Sequence, residues 1–177
     1  MLPGPPGRRG PDGRSGREAM PFAGHASPAR LVILAASKTK DRKEGCAMRV
    51  IVDAFGGDNA PLEVIKGAAL AREEYKVEVA LVGREEEIRR VAQENGISLD
   101  GIVIFDAPDV IAMEDEPKSI LKEKKNCSMA EGLRRLAAGE GDAFVSAGST
   151  GALIMGATFL VKRIKGVSRA ALAALMP

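Results

Sequence analysis

From Arg49 onward, short β-rich apolar runs alternate with stretches whose apolar residues recur at helical spacing. Arg49–Asp53 (RVIVD) reads as a buried strand, and Pro61–Tyr75 as a helix with Leu62, Ile65, Ala69 and Leu70 in register. Val77–Val82 is the next strand, followed by a charged amphipathic helix over Arg84–Glu94 that Asn95-Gly96 ends. Ile102–Phe105 is a third strand. A polar connection containing Pro108 and Pro117 leads to a short helical piece at Lys118–Lys124. Ser128–Ala138 reads as a helix opened by a capping box, Ser128 with Glu131. A strand at Ala143–Val145, a helix at Thr150–Ile164 and a strand at Ala170–Leu175 complete the pattern.

Strands that alternate with helices predict an α/β fold: a doubly wound, mostly parallel sheet with helices on both faces, in the Rossmann-like three-layer manner. The 177 residues suffice for one domain. The pattern stops at Met176-Pro177, straight after a predicted strand, where such a domain ordinarily continues, so the expectation is a truncated domain. Residues 1–47 are different: rich in Pro, Gly, Arg and Ser, and without periodicity, they are expected to be a disordered basic tail preceding a domain at 48–177.

Charge sharpens that division. Residues 1–47 hold nine basic and four acidic side chains, whereas 48–177 hold seventeen and twenty. The predicted domain is therefore slightly acidic and short of aromatics, which argues against nucleic acid as a partner. Its apolar runs are too short to span a bilayer. Cys46 and Cys127 lie far apart with no metal-ligand spacing, and the single histidine, His25, lies in the tail. A Ser-His-Asp triad, a Cys-His pair and a His-ligated zinc are thus unavailable to 48–177.

In open α/β sheets ligands bind beyond the carboxyl ends of the strands, and two strand-to-helix loops there have suggestive chemistry. DAFGGDNAP (53–61) offers Asp53, Gly56 and Gly57, with Asp58 or Asn59 able to cap the next helix. SAGSTGA (146–152) offers Ser146, Gly148, Ser149, Thr150 and Gly151. Both resemble cradles for a phosphate-like anion, although glycine turns with capping residues also open many helices for structural reasons alone. Millimolar phosphate binding takes ~4 kcal/mol, and a helix terminus contributes roughly 0.3–1 kcal/mol, or ~2 when partly buried. A cation is therefore expected nearby, from Lys122, Lys124, Lys125 or Arg169, of which Lys125 and Arg169 are the chosen candidates. Ser128 is a further donor if its hydroxyl is free of capping.

These blocks resemble the phosphate acyltransferases of bacterial phospholipid synthesis, the PlsX family. DAFGGDNAP is similar to the family's DAMGGD-x-x-P opening, and VIAMEDEPKSILKEKKNCSM (110–129) to its stretch ending in Lys-x-Ser-Ser-Met. SAGSTGALI (146–154) is similar to its SAGNTGAL segment, and RIKGVSRAALAALMP (163–177) to RIKG-x-x-RPALA-x-x-P. The order is kept over 48–177. The departures are Phe55 for Met, Ser149 for Asn, Cys127 for the first Ser of Ser-Ser-Met, and Ala170 for Pro; family members are also about twice as long.

The resemblance implies transfer of a fatty acyl group from acyl-[acyl carrier protein] to inorganic phosphate, giving acyl phosphate. It further implies a fold related to phosphotransacetylase and isocitrate dehydrogenase, a cytoplasmic homodimer that touches the membrane peripherally, and no organic cofactor or metal. Phosphate is already ionised near neutrality, so the nucleophile needs no histidine to activate it. Two alternatives stay open: a coenzyme A-dependent phosphotransacylase-like enzyme, and a catalytically inactive fragment.

Overall fold

The computed structural model describes the backbone of residues 32–35 and residues 47–163 and 165–168 in full. The elements are β1 (Val32–Ala35), β2 (Arg49–Asp53), α1 (Leu62–Tyr75), β3 (Glu78–Gly83), α2 (Glu85–Glu94), β4 (Val103–Asp106), α3 (Ser128–Ala138), β5 (Ala143–Ser146) and α4 (Thr150–Gly156). A 3-10 turn at Pro117–Leu121 precedes α3, and a π-helical turn at Ala157–Val161 prolongs α4. Every strand and helix predicted between Arg49 and Val161 has a counterpart, most with ends shifted by a residue or so. The piece expected at Lys118–Lys124 is instead a 3-10 turn that ends at Leu121, and the helix expected over Thr150–Ile164 is α-helical only to Gly156. The predicted strand Ala170–Leu175 lies outside the described residues, as does Arg169.

The sheet order is β1-β5-β2-β3-β4. The four strands from β2 to β5 are mutually parallel, as expected of a doubly wound α/β fold. β1 is antiparallel, with Val32 opposite Ser146 and Ala35 opposite Ala143. This corrects the expectation that all of residues 1–47 lacks regular structure. Composition averaged over 47 residues hides the run VILA, whose apolar and β-branched residues suit the open edge of β5.

Alternate side chains of the sheet feed two cores, as the two-residue strand period requires. Val79 and Leu81 of β3 pack with Ile65 and Ala68 of α1 and Ile88 and Ala92 of α2. Ala80 and Val82 of the same strand point the other way, to Leu133 and Leu136 of α3, Phe144 of β5, and Ala152 and Leu153 of α4. Helices therefore cover both faces. Glycines make the close approaches on the second face: a methyl on Gly132 would strike the Phe144 ring, and one on Gly156 would strike Leu133. On α1 the inward pair is Ile65 and Ala68, while Leu70 faces solvent.

The chain proceeds from β2 to β3 to β4 on one side, then returns to place β5 on the other side of β2. The strand order thus reverses between β2 and β5, where a doubly wound sheet opens its ligand crevice. Both loops singled out in the sequence leave the sheet at that point.

Candidate functional site

β2 ends at Asp53 and β5 at Ser146, and because the two strands are parallel with Val52 opposite Val145, their following loops emerge side by side. Residues 53–61 and 146–152 are in direct contact. A methyl on Gly56 would lie 2.7 Å from Ser146 Oγ, 2.9 Å from Asp53 Oδ2 and 2.9 Å from the Gly148 nitrogen. One placed on Gly148 would lie 3.3 Å from the Gly56 Cα. No ligand fits between Gly56 and Gly148. The loops form one continuous rim, and an anion has access only to its outer side.

The rim sorts the sequence-predicted residues into two groups. Gly57, Gly148, Thr150 and Gly151 are half-buried and Asp58 and Asn59 exposed, so these six can meet a ligand. Asp53, Gly56, Ser128, Ser146 and Ser149 are buried beneath them. Gly57 holds a φ of 108°, a conformation that favours glycine, at the outer turn of the first loop.

The buried group is organised around Asp53, which is 2% exposed. Ser146 Oγ donates to its Oδ2 at 2.8 Å and the Phe55 amide donates to Oδ1 at 3.2 Å, and the Ser128 hydroxyl lies near enough to favour the charged carboxyl. Ser146 Oγ in turn accepts from the Gly148 amide at 3.1 Å. Burial pushes the Asp53 carboxyl above its ordinary value, and the hydroxyls of Ser128 and Ser146 and the Phe55 amide oppose that rise. One carboxyl therefore ties β2, β5, the start of α3 and both loops together.

Ser128 is available for this because it does not cap α3. The cap is Cys127, whose Sγ accepts from the Ala130 amide at 3.4 Å, one residue earlier than the capping box places it. Glu131, expected to complete that box, instead pairs with Arg134 and Arg135. Burial raises the Cys127 thiol above its usual range, so it remains a neutral cap. At α1 the N-cap is Pro61 with no side-chain bond, so neither Asp58 nor Asn59 caps through its side chain; the Asn59 carbonyl accepts from the Glu63 amide at 3.2 Å. Ser149 does cap α4, accepting from the Ala152 amide at 3.4 Å.

The cationic candidates separate equally clearly. Lys124 Nζ bonds the Val110 carbonyl at 3.0 Å and the Asp115 carboxylate, strapping the 110–115 segment to the turn before α3. Its ammonium holds the Asp115 carboxyl below the usual range, with help from the Ala112 amide. Lys125 is exposed on that turn and makes no ion pair among the described residues. The 3-10 turn at Pro117–Leu121 reaches the rim, since a methyl on Gly151 would meet Pro117 at 2.9 Å.

Arg84, which the sequence reading did not place near the site, joins it through Phe55 of the first loop. The Phe55 ring lies against Gly83 at the carboxyl end of β3, and the Arg84 guanidinium is 5.3 Å from its centroid. Arg84 also pairs with Glu87 at 2.9 Å and donates to the Pro108 carbonyl at 3.2 Å. The available signal was Gly83-Arg84 directly after a parallel strand. Among the described residues no three His, Cys, Asp or Glu side chains gather as a metal site, and no helix is long and apolar enough to cross a membrane.

An open, mostly parallel sheet with a glycine-rich rim at its switch point defines a Rossmann-like α/β protein. The family model for fatty acid synthesis protein matches residues 48–177, and the chain belongs to that family. Its relatives carry the name phosphate acyltransferase. The Pelotomaculum thermopropionicum protein is 44% identical over 131 residues, 73% of this chain and 38% of its own length. That of Thermoanaerobacterium thermosaccharolyticum is 41% identical over 130 residues, 73% of this chain and 38% of its own. The Thermotoga maritima protein is 41% identical over 130 residues, covering 73% and 37%. The chain thus spans well under half the length of these relatives.

Proposed function

We propose that the chain supplies the phosphate-binding portion of an acyltransferase that moves a fatty acyl group from acyl-[acyl carrier protein] to inorganic phosphate, releasing acyl phosphate. The observation that carries this reading is the contact between the loops after β2 and β5, which makes one glycine rim at the switch point of the sheet. The names of the relatives, phosphate acyltransferase, accord with such a rim.

In this reading the rim residues Gly57, Asn59, Gly148, Thr150 and Gly151 hold phosphate, and Lys125 and Arg169 neutralise charge as an oxygen of phosphate attacks the thioester carbonyl. The carbon–sulfur bond breaks and the carrier's thiolate leaves. Binding and orientation do most of the work, because phosphate is ionised near neutral pH and needs no strong base. Asp58, exposed on the same rim, would repel a dianion unless those cations are near. The slightly acidic 48–177 region fits a small-molecule and protein substrate rather than nucleic acid. A homodimer in the cytoplasm, peripherally at the membrane, belongs to the same proposal for the whole protein.

The test uses a full-length relative, such as the Thermotoga maritima protein, with alanine at the positions matching Lys125 and Arg169. Turnover falls at least tenfold, or the phosphate KM rises by that factor, in each variant. Unchanged kinetics in both remove the two cations from the site. Running the parent enzyme with carrier-protein and coenzyme A thioesters side by side decides the acyl donor.

A further inference from the structure

Asp53 has an unusual place for a carboxylate in a proposed anion site. It sits directly below the rim, yet is 2% exposed and faces donors from three different elements: the Phe55 amide of the first loop, Ser146 Oγ at the end of β5, and the Ser128 hydroxyl at the start of α3. Ser146 passes the contact on by accepting from the Gly148 amide at 3.1 Å. Gly56 fills the remaining space so tightly that a single methyl there would strike Asp53, Ser146 and Gly148 together. The carboxyl is an acceptor with every neighbour a donor, which is the arrangement that fixes donors in place.

We infer that Asp53 is a positioning residue for the anion rim: it does not touch the ligand, and it sets the separation of the two glycine loops by accepting from both. This deepens the reading of the rim as a phosphate site and rests on it. The inference has a sign that a ligand-facing carboxylate would not share. If Asp53 faced a bound anion, removing its charge would relieve repulsion and strengthen binding. A positioning carboxyl gives the opposite result. An asparagine has one acceptor oxygen and two N–H donors, so it cannot accept from Phe55 and Ser146 on two separate oxygens as the carboxyl does, and the loops separate or slip.

Phosphate and sulfate titrations of the 177-residue chain by calorimetry provide the test. Asp53→Asn and Ser146→Ala each weaken phosphate binding at least tenfold, and the double variant is no weaker than the worse single one, because both break the same link. Sulfate follows the same order, which excludes titration of phosphate itself as the cause. Ile88→Ala, in the core on the opposite face of the sheet, lowers thermal stability and leaves phosphate affinity unchanged. Equal or tighter binding by Asp53→Asn overturns the inference. If the parent chain binds neither anion, the reading of the rim as a phosphate site fails, and amide exchange decides the positioning role separately. Exchange at Phe55 and Gly148 then accelerates at least tenfold in Asp53→Asn and is unaltered in Ile88→Ala; unchanged protection in Asp53→Asn overturns the inference.

Discussion

Gly56→Ala should destabilise the protein far more than an alanine replacing glycine usually does, and the reason is entirely steric. Gly56 does not have a positive φ, so an alanine backbone carries no conformational penalty there. Its new methyl would stand 2.7 Å from Ser146 Oγ and 2.9 Å from both Asp53 Oδ2 and the Gly148 nitrogen. Those contacts are roughly 0.5–1 Å inside ordinary non-bonded distances. None of the three atoms is the loose end of a flexible chain. Ser146 Oγ is held by Asp53 at 2.8 Å and by Gly148 at 3.1 Å, so the site must shift as a unit. Overpacking of this kind costs about 1–3 kcal/mol. If Ser146 is driven off Asp53, a buried carboxyl loses a donor, adding about 1–3 kcal/mol. The expected total is therefore about 2–6 kcal/mol, a large share of the ~5–15 kcal/mol that holds an ordinary domain. Urea unfolding followed by far-UV circular dichroism reads it, since the chain has no Trp and its one Tyr, Tyr75, is 67% exposed. Gly67→Ala is the internal control. It lies within α1 with nothing within 4 Å of the new methyl, and should gain about 0.5–1 kcal/mol. A Gly56→Ala protein within ~0.5 kcal/mol of the parent would refute the contact between the loops and, with it, the single rim.

Two further outcomes test the supports of that rim. Cys127→Ala should lower stability by about 0.5–2 kcal/mol through loss of the α3 cap, whereas Cys127→Ser, which keeps an acceptor near the Ala130 amide, should hold within about 0.5 kcal/mol of the parent; equal losses in urea unfolding would remove the sulfur from the cap. Asp115 has its carboxyl lowered from 3.8 by Lys124, so its stabilising effect is complete above 3.8 and is lost as pH falls through the lower folded value. Carboxyl-carbon NMR titration should show the Asp115 midpoint climbing toward 3.8 in Lys124→Met, and an unmoved midpoint rejects the strap between the two.

The division of the site into rim and support follows from side-chain directions that periodicity alone does not give. Strand and helix order was legible from Arg49 to Val161 because each run carries its own period and its own stop: Asn95-Gly96 after α2, Gly139 after α3. That both loops leave the same edge of the sheet was legible too, since parallel strands place all their carboxyl ends there; that they are neighbours follows from the pairing of β2 with β5. What the pattern could not show is that Asp53 and Ser146, one at each strand end, turn inward toward one another. Register decides that, and register is a property of the pair β2 and β5 rather than of either run alone. The cap of α3 was misplaced for a chemical reason: Ser is a far commoner cap than Cys, so Ser128 outranked Cys127 in the sequence. β1 escaped notice because four residues are too few to establish a period against a Pro- and Gly-rich background.

The misplaced cap has a consequence for the whole site. Were Ser128 to cap α3, its hydroxyl would be spent on an amide of the first turn and Asp53 would lose a donor. With Cys127 as the cap, the hydroxyl is free to reach the carboxyl, and α3 is drawn into the same network as both loops. A buried carboxyl is costly unless its neighbours donate to it, and here the Phe55 amide and the Ser146 hydroxyl do so while the Ser128 hydroxyl favours its charged form. The region 48–177 contains no histidine with which to move a proton. On the proposed reading, in which the nucleophile is phosphate, the contribution of this region is to hold backbone and hydroxyl groups still where that anion arrives. That is work for a rigid support, and in this fold the support is a single carboxyl shared by three segments of chain.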